Sequence, residues 1–470
     1  MNDKSFSHDM RVRDAVAQAS APVDIPALID AQPVSRFQFN VFLLLGAAMI
    51  MDGFDVQSMG FVAPEIIRVW GIPQAALGPV FSASLLGMLF GSLGLSVLAD
   101  RYGRRPVLVG SMAFIGACMF ATAWVTSLPQ LLAARFITGI GIGGIMGNAM
   151  ALVGEYSPAR KRVSIMMIVS CGFTGGAALG GIVAAWLIPL GGWRAVFTFG
   201  AAVSIIIAVL MVRYVPESLQ FLVLRERRLE QVTRWLTRIA PAAVPADGAV
   251  RYIVHEPPAK GKGTPIGELF QEGRALPTLL LWGINFANLL NLFFLANWLP
   301  TIISGAGYGR GVGIALGIAL QIGGVIGTVV MGLLIDRLGF YRVLVPALLL
   351  AAASIAMIGQ SGLPLPLLAA VVMMSGFCIV GAQPAVNALA ATIYPTRVRA
   401  TGIGWSLGVG RAGSIVGPVL AGYFVSRGWA VSAIFGAAAM PAVVSAAMVL
   451  CIGLFRDASP PVSLRNSGGH

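Results

Sequence analysis

The sequence predicts an all-α membrane protein with twelve transmembrane helices in two pseudo-symmetric six-helix bundles. Three observations support this fold class: a very apolar composition, twelve apolar segments of membrane-spanning length, and short motifs that recur in the two halves. Of the 470 residues, 57% are hydrophobic and 11% are charged. Soluble globular domains carry about 25% charged residues. Most of the chain is therefore expected to be surrounded by membrane lipid.

The apolar segments are each long enough to cross a bilayer, which takes roughly 20 apolar residues. The twelve segments cover residues 37–63, 74–99, 106–126, 130–153, 163–188, 192–213, 277–302, 311–335, 343–360, 364–392, 400–425 and 430–455. They divide the chain into an N-terminal tail (1–36), a six-helix bundle (37–213), a linker (214–276), a second six-helix bundle (277–455) and a C-terminal tail (456–470).

Lysine and arginine are distributed unevenly between the two sides of the predicted membrane. Most of the 32 basic residues lie in the tails, the linker and the loops on the same side. The opposite side has only Arg68, Arg194, Arg310 and Arg427. The positive-inside rule therefore places both termini and the linker in the cytoplasm. The net charge of +13 reflects this topology, so we expect no nucleic-acid partner.

Cysteine and histidine are few and do not form a pattern for metal binding. The 4 Cys and 3 His residues show no CxxC or Cys/His spacing. No Ser/His/Asp arrangement and no phosphate-binding loop is visible either. We therefore expect no metal, no cofactor and no enzymatic activity. A sensor is also not expected, because the tails are too short for a signalling domain.

Two carboxylates, Asp52 and Asp55, lie inside the first apolar segment. A charge at the bilayer centre costs about 2.5–3.5 kcal/mol, and positions i and i+3 share one helical face. That face is expected to look into the protein. Two carboxylates this close resist double ionisation, so one of them could bind and release a proton. Arg135 in the fourth segment lies at a similar depth, so we expect Asp52 or Asp55 to pair with it in one state and count all three as proton-coupling residues. The alternative is a structural role in ion pairs with basic residues elsewhere.

Arg411 lies near the middle of the eleventh apolar segment, within the glycine-rich stretch Gly408–Gly413. A guanidinium there could bind a substrate carboxylate through two parallel hydrogen bonds. An internal ion pair without ligand contact is the alternative. Together with Asp52, Asp55 and Arg135, the intramembrane charges sum to zero. Binding an anion would leave the site negative unless a proton binds too, which is a physical reason to expect coupled fluxes.

Short motifs recur in the two halves. Asp100-Arg-Tyr-Gly-Arg-Arg105 follows the second segment, and Asp336-Arg-Leu-Gly339 follows the eighth. Internal repeats of this kind place a substrate site near the midplane, between the halves. The first motif resembles the loop signature G-x-x-x-D-R-x-G-R-R of the major facilitator superfamily, with Ser96 in place of the first Gly. The resemblance implies the major facilitator fold over all twelve helices.

Within that superfamily, the chain resembles the bacterial aromatic acid:proton symporters. The matching residues are Asp52-Gly-Phe-Asp55, Gly60, Pro64, Arg135, Glu155, Arg399 and Arg411. This resemblance implies proton-coupled uptake of a small aromatic carboxylate, such as a benzoate or hydroxybenzoate, by a monomer in the bacterial inner membrane through alternating access. The alternative is a proton symporter for another small organic acid or for a sugar. Val215–Leu222 keeps the sugar alternative open, because it is similar to a segment of sugar porters.

An aromatic acid also needs apolar surface for its ring and polar groups for any ring hydroxyl. The candidate substrate-binding residues besides Arg411 are Phe54, Asn288, Asn291, Gln321, Gln383, Asn387 and Trp405. For each polar member, the alternative is a structural bond between helices. A second group is expected to form a cytoplasmic gate that locks the halves together. The gate candidates are Asp100, Arg104, Arg105, Glu155 and Arg399, and a purely topogenic role of the arginines is the alternative.

Overall fold

A computed structural model describes residues 23–225, 229–240, 252–253, 266–271, 273–360, 362–394 and 396–458. Fifteen helices form its framework in this part of the chain. They are α1 (Ile25–Ala31), α2 (Arg36–Trp70), α3 (Gly78–Tyr102), α4 (Arg104–Ala123), α5 (Leu128–Gly143), α6 (Ile145–Tyr156), α7 (Ala159–Tyr214), α8 (Leu219–Leu224), α9 (Leu229–Ile239), α10 (Ala275–Ile303), α11 (Arg310–Leu338), α12 (Phe340–Ile358), α13 (Leu365–Ile393), α14 (Thr396–Ser426) and α15 (Val431–Ala458). Strands β1 (Val23–Asp24) and β2 (Tyr252–Ile253) pair in parallel.

Twelve membrane crossings result from these helices. Within the described ranges, ten stretches are long and apolar enough to span a bilayer, and α5 with α6 counts as one of them. Helix α7 has 56 residues, or about 84 Å at 1.5 Å per residue, against a hydrocarbon core of about 30 Å. It turns at Gly192, where φ is 68°, a left-handed conformation that glycine adopts without steric cost. Helix α7 therefore supplies two crossings, and the charged α14 is the twelfth. The predicted fold class is confirmed.

The helices run alternately between two faces of the molecule. The Asp100 face carries the loop after α3, the linker and the start of α2; the Glu65 face carries the turns after α2 and α10. Equivalent helices pair in both halves: α2 packs on α7 and α3 on α5, as α10 packs on α14 and α11 on α13. Glycine allows close approach at Gly53, where a side chain would collide with the carbonyl oxygen of Phe173.

Segments outside the bundles cover the Asp100 face. Linker helix α9 packs on the start of α2, where Trp235 stacks on Phe37 with ring centroids 5.2 Å apart. Helix α1 lies at the start of α7, whose Ala159 N–H donates to Asp30 at 2.6 Å. Residues 1–22 and 459–470 of the predicted tails, and much of the predicted linker, lie outside the described residues.

Hydrogen bonds and ring contacts join the two bundles near the Glu65 face. Ser82 of α3 donates to the carbonyl oxygen of Ile415 in α14 at 2.8 Å. The ring of Phe81 meets that of Trp298 edge-on, with centroids 5.4 Å apart. On the Asp100 face, by contrast, the hydrogen bonds and ion pairs between described residues lie within one bundle or join it to the linker. This arrangement closes the interface between the bundles on one side.

Candidate functional site

Asp55 and Arg135 form a buried ion pair inside the first bundle. Arg135 donates from Nη1 to Oδ1 of Asp55 at 2.9 Å and from Nη2 to Oδ2 at 3.0 Å. The Nη2 group also donates to the Asp55 carbonyl oxygen at 3.1 Å and to Ser84 Oγ at 3.3 Å. Both side chains are 0% exposed. The sequence left open which aspartate meets Arg135, and the structure pairs it with Asp55.

Helix α2 orients the two aspartates through its neighbours. It begins at a capping box formed by Ser35 and Gln38 and continues past Pro64 to Gly71. Gly53 lies on the side of α2 that touches α7. Asp55 turns away from this contact toward α5, whose Arg135 binds both Asp55 and Ser84 of α3.

Asp52 is buried and has an unsatisfied oxygen. It is 2% exposed, and its Oδ1 has no hydrogen-bond partner among the described residues. Arg411 is half-buried, and its Nη1 contacts Met88 Sδ of the first bundle. Within the described part of the chain, no carboxylate lies at ion-pair distance from Arg411.

Breaking the Asp55–Arg135 pair is expected to destabilise the protein. Asp55→Asn should lower the free energy of unfolding by about 3–5 kcal/mol, because it leaves a buried guanidinium without its counter-charge. The double variant with Arg135→Gln removes both charges and should recover most of that loss. Thermal unfolding in detergent, followed by intrinsic fluorescence, measures the difference. An unchanged melting temperature for Asp55→Asn would contradict the expectation.

A chain of side-chain amides connects three helices of the second bundle. Gln383 of α13 donates to Asn285 Oδ1 at 3.0 Å and to Asn387 Oδ1 at 3.2 Å. Asn285 donates onward to Ser406 Oγ of α14 at 2.6 Å. Asn288 of α10 donates to Gln383 Oε1 at 2.7 Å and to a backbone carbonyl of α13 at 3.2 Å. The Oδ1 of Asn288 is buried and lacks a donor among the described residues.

Two of the predicted substrate-binding residues, Asn291 and Phe54, pack against other helices of their own bundles. Asn291 turns toward α15. With the oxygen and nitrogen of its side-chain amide exchanged, the nitrogen donates to the Ala438 carbonyl oxygen at 2.8 Å and the oxygen accepts from the Ala442 N–H at 3.3 Å. Phe54 packs within the first bundle, with its ring centroid 6.1 Å from that of Phe199. Because each helical residue is rotated by about 100° from the last, neighbours of site residues can point into other interfaces. The structure does not bring these two residues together with Arg411.

Trp405 and Gln321 are not connected to the amide chain by the hydrogen bonds between described residues. Trp405 of α14 stacks on Trp282 with centroids 5.8 Å apart and is 43% exposed. It offers a flat apolar surface on the half of α14 that leads to the Asp100 face. Gln321 is buried in α11, and none of the hydrogen bonds between described residues connects it to Gln383 or Asn288.

The predicted gate residues belong to separate bundles in this structure. Arg104 forms an ion pair with Glu155 inside the first bundle, and Asp100 accepts at its backbone oxygen from Arg225 at 3.4 Å. Arg399 of the second bundle is exposed and donates to the carbonyl oxygen of Tyr394 at 3.3 Å. The described contacts therefore do not join these residues across the bundles.

Glu217 is a network member that the sequence analysis missed. Its Oε1 accepts the backbone N–H groups of Arg104 at 2.8 Å and Arg105 at 3.1 Å. A carboxylate there complements the positive end of the α4 dipole. The neighbouring Ser218 donates to Glu155 at 2.6 Å. The sequence feature that could have identified Glu217 is Pro216-Glu217-Ser218, which follows the sixth crossing directly and belongs to the segment that is similar to sugar porters.

Comparisons with known proteins agree with this architecture. The Major Facilitator Superfamily matches residues 45–326 and 281–469. The 4-hydroxybenzoate transporter PcaK of Pseudomonas aeruginosa is 40% identical over 436 residues, covering 93% of this chain and 97% of the relative. The gallate transporter of Pseudomonas putida is 35% identical over 441 residues (94% and 97%). The benzoate transport protein of Acinetobacter baylyi is 30% identical over 454 residues (94% and 96%).

Solved structures show the same fold at low sequence identity. The inward-open xylose transporter XylE from E. coli has a TM-score of 0.68 at 15% identity, covering 90% of this chain and 96% of that one. A bacterial homolog of the human lysosomal transporter Spinster has a TM-score of 0.67 at 17% identity (90% and 99%). The chain therefore belongs to the major facilitator superfamily, in the family of the hydroxybenzoate, gallate and benzoate transporters, and is a membrane transporter, not an enzyme.

Proposed function

We propose that this transporter takes up a small aromatic carboxylate, such as a benzoate or hydroxybenzoate, together with protons across the bacterial inner membrane. One observation carries the proposal: Asp52 is buried and unsatisfied at one oxygen, and Arg411 of the opposite bundle contacts Met88 at the bundle interface with no carboxylate at ion-pair distance among the described residues. The relatives named for 4-hydroxybenzoate, gallate and benzoate support the substrate class.

Arg411 is the proposed anchor for the substrate carboxylate. Its guanidinium can offer two parallel N–H donors, which match a carboxylate in geometry and charge. The Asp55–Arg135 pair is already neutral, so Arg411 is the cation whose charge remains for an anion. The anchor lies in α14, and its contact with Met88 places it against the first bundle. A substrate bound there would touch both halves, as alternating access requires.

Proton coupling follows from the charge balance between Asp52 and Arg411. A substrate carboxylate that binds Arg411 brings a second negative charge into the site that already contains the buried Asp52. An ionised carboxylate left buried without a partner is costly. Asp52 therefore takes up a proton when the anion binds and loses it when the anion leaves. The ion pair of Asp55 and Arg135 holds the helix that carries Asp52 in place. This pair is also the second candidate, after Asp52, for binding and releasing the transported proton.

The amide chain is the proposed binding site for a ring hydroxyl. The amide nitrogens of Asn285, Asn288 and Gln383 already donate to acceptors, whereas Asn288 Oδ1 lacks a donor among the described residues. A phenolic hydroxyl supplies such a donor. Gln383 and Asn387 are only partly buried and line the approach to it, and Trp405 offers stacking surface. We assign Phe54 and Asn291 to helix packing, and Gln321 to the neighbouring wall of the second bundle.

The proposed orientation places the Asp100 face, both termini and the linker in the cytoplasm, because the basic residues concentrate there. The contacts on the Glu65 face would then close the outer side. When the inner side closes in its turn, the predicted gate residues of the two bundles would meet. These are Asp100, Arg104, Arg105 and Glu155 of the first bundle and Arg399 of the second. We propose that a monomer carries out this cycle.

The test is uptake by proteoliposomes with and without an inward proton gradient. The panel contains labelled 4-hydroxybenzoate, benzoate, an aliphatic acid and xylose. We expect 4-hydroxybenzoate to accumulate only with the gradient and benzoate to accumulate less, because it lacks the hydroxyl donor. Accumulation without a gradient would contradict proton coupling. Preferred uptake of the aliphatic acid or of xylose would favour the alternative, a proton symporter of another organic acid or a sugar.

A further inference from the structure

Glu65 forms an ion pair that joins the two bundles at the Glu65 face. It lies near the end of α2 and is 6% exposed. Arg310, the first residue of α11, forms an ion pair with Glu65 Oε2. Arg68 holds the same carboxylate from within α2, with Nη2 at 2.6 Å from Oε1 and Nε at 3.2 Å from Oε2. One carboxylate is thus shared between an arginine of its own helix and one of the opposite bundle.

The Glu65–Arg310 pair is the outermost layer of a closed interface. Below it, Gln57 of α2 donates to the carbonyl oxygen of Ala296 in α10. At the same depth lies a small cavity of about 10 Å³, lined by Val56 and Met59 on either side of Gln57, which is about the space of one water molecule. Its polar lining comes from both bundles: Ser84 and Arg135 of the first, and Asn297 of the second. This interface separates the Asp55–Arg135 pair from the Glu65 face.

We infer that Glu65 and Arg310 form the outer gate of the transporter. Their separation would let the bundles part at the Glu65 face and open the cavity beside Arg135 to outside water. The pair is suited to repeated opening, because the Arg310 side chain is 48% exposed and water can solvate its guanidinium when it leaves Glu65. Arg68 stays on Glu65 when Arg310 leaves, so the buried carboxylate keeps a counter-charge in both states. The inference rests on the proposed transport by alternating access.

State-dependent thiol labelling tests the gate. The reporter is Ser82→Cys, at the bundle interface, in a protein whose native Cys118, Cys171, Cys378 and Cys451 are replaced by Ser or Ala. Intact cells are treated with a membrane-impermeant maleimide. We expect Arg310→Gln or Glu65→Gln to accelerate labelling roughly fivefold, because the lost ion pair no longer holds the outer side closed.

Arg68→Gln is the matched control, since it removes an arginine from the same carboxylate without removing a contact between bundles. It should leave the labelling rate unchanged. Exchanging the charges in Glu65→Lys with Arg310→Glu should restore slow labelling. Equal rates in Arg310→Gln and Arg68→Gln, or no acceleration in Arg310→Gln, would overturn the inference. If Glu65→Gln fails to insert, Arg310→Gln decides, because it leaves Glu65 paired with Arg68.

Labelling requires neither an aromatic acid nor a proton gradient. A negative result in the proteoliposome panel would therefore reject the proposed substrate or coupling without touching the gate. Unchanged labelling alongside gradient-driven uptake would reject the gate alone.

Discussion

Asp52→Asn is expected to abolish gradient-driven accumulation of the aromatic acid while leaving its exchange across the membrane largely intact. Asparagine has the size and neutrality of a protonated aspartate, so Arg411 remains available to the substrate anion throughout the cycle. The variant cannot release or bind a proton at this position, and the gradient then has no group through which to drive uptake. Accumulation under an inward proton gradient and counterflow of labelled acid, both in proteoliposomes, measure the two properties separately.

The matched control is Asp52→Glu, which keeps a titratable carboxyl at the same place and should keep part of the coupling. Asp55→Asn is a poorer test of proton binding, because it also leaves the buried Arg135 without its counter-charge. Normal accumulation by Asp52→Asn would remove Asp52 from the proton path. Loss of both accumulation and exchange in a normally expressed protein would instead indicate a structural or binding role.

Arg411→Lys is expected to reduce kcat/KM for the aromatic acid by roughly 10- to 100-fold, although the charge is kept. A charge-assisted hydrogen bond contributes about 1.5–3 kcal/mol, and every 1.4 kcal/mol corresponds to about a factor of ten. The lysine ammonium is a compact point charge and cannot offer the two parallel donors of a guanidinium. Initial uptake rates over a range of 4-hydroxybenzoate concentrations give the comparison.

A conservative change at the far end of the same helix provides the control. Arg427 follows α14 directly, and its guanidinium lies 5.3 Å from the ring centroid of Tyr423. Arg427→Lys should transport the acid at the unmodified rate, because this residue lies at the membrane surface, away from the proposed site. Near-normal uptake by Arg411→Lys would exclude Arg411 as the substrate anchor.

Particular helices show why the fold was predictable. The apolar length of a segment decides whether it crosses a membrane, and length is a local property of the sequence. Even the two α7 crossings, which the structure separates only by the kink at Gly192, are distinct in the sequence because polar and glycine residues interrupt the apolar run there. Helix α14 is predicted in the same way, from the apolar segment 400–425.

The site was only partly predictable. The sequence identifies four ionisable residues inside apolar segments: Asp52, Asp55, Arg135 and Arg411. Such residues are costly in the membrane and therefore indicate a functional or structural role. Glu65 does not stand out in the same way, because a charge near a helix end is ordinary in a membrane protein. Its partner Arg310 is 245 residues away in the sequence, and no local pattern connects the two.

By itself, the sequence determined the membrane class, the twelve crossings, the repeat and the identity of the intramembrane charges, because composition and segment length express these directly. Only the tertiary structure decided that Asp55 and not Asp52 pairs with Arg135, and that Asn288 joins the amide chain whereas Asn291 faces α15. The physical reason is helix rotation: one residue changes the direction of a side chain by about 100°, and packing against neighbouring helices sets that rotation.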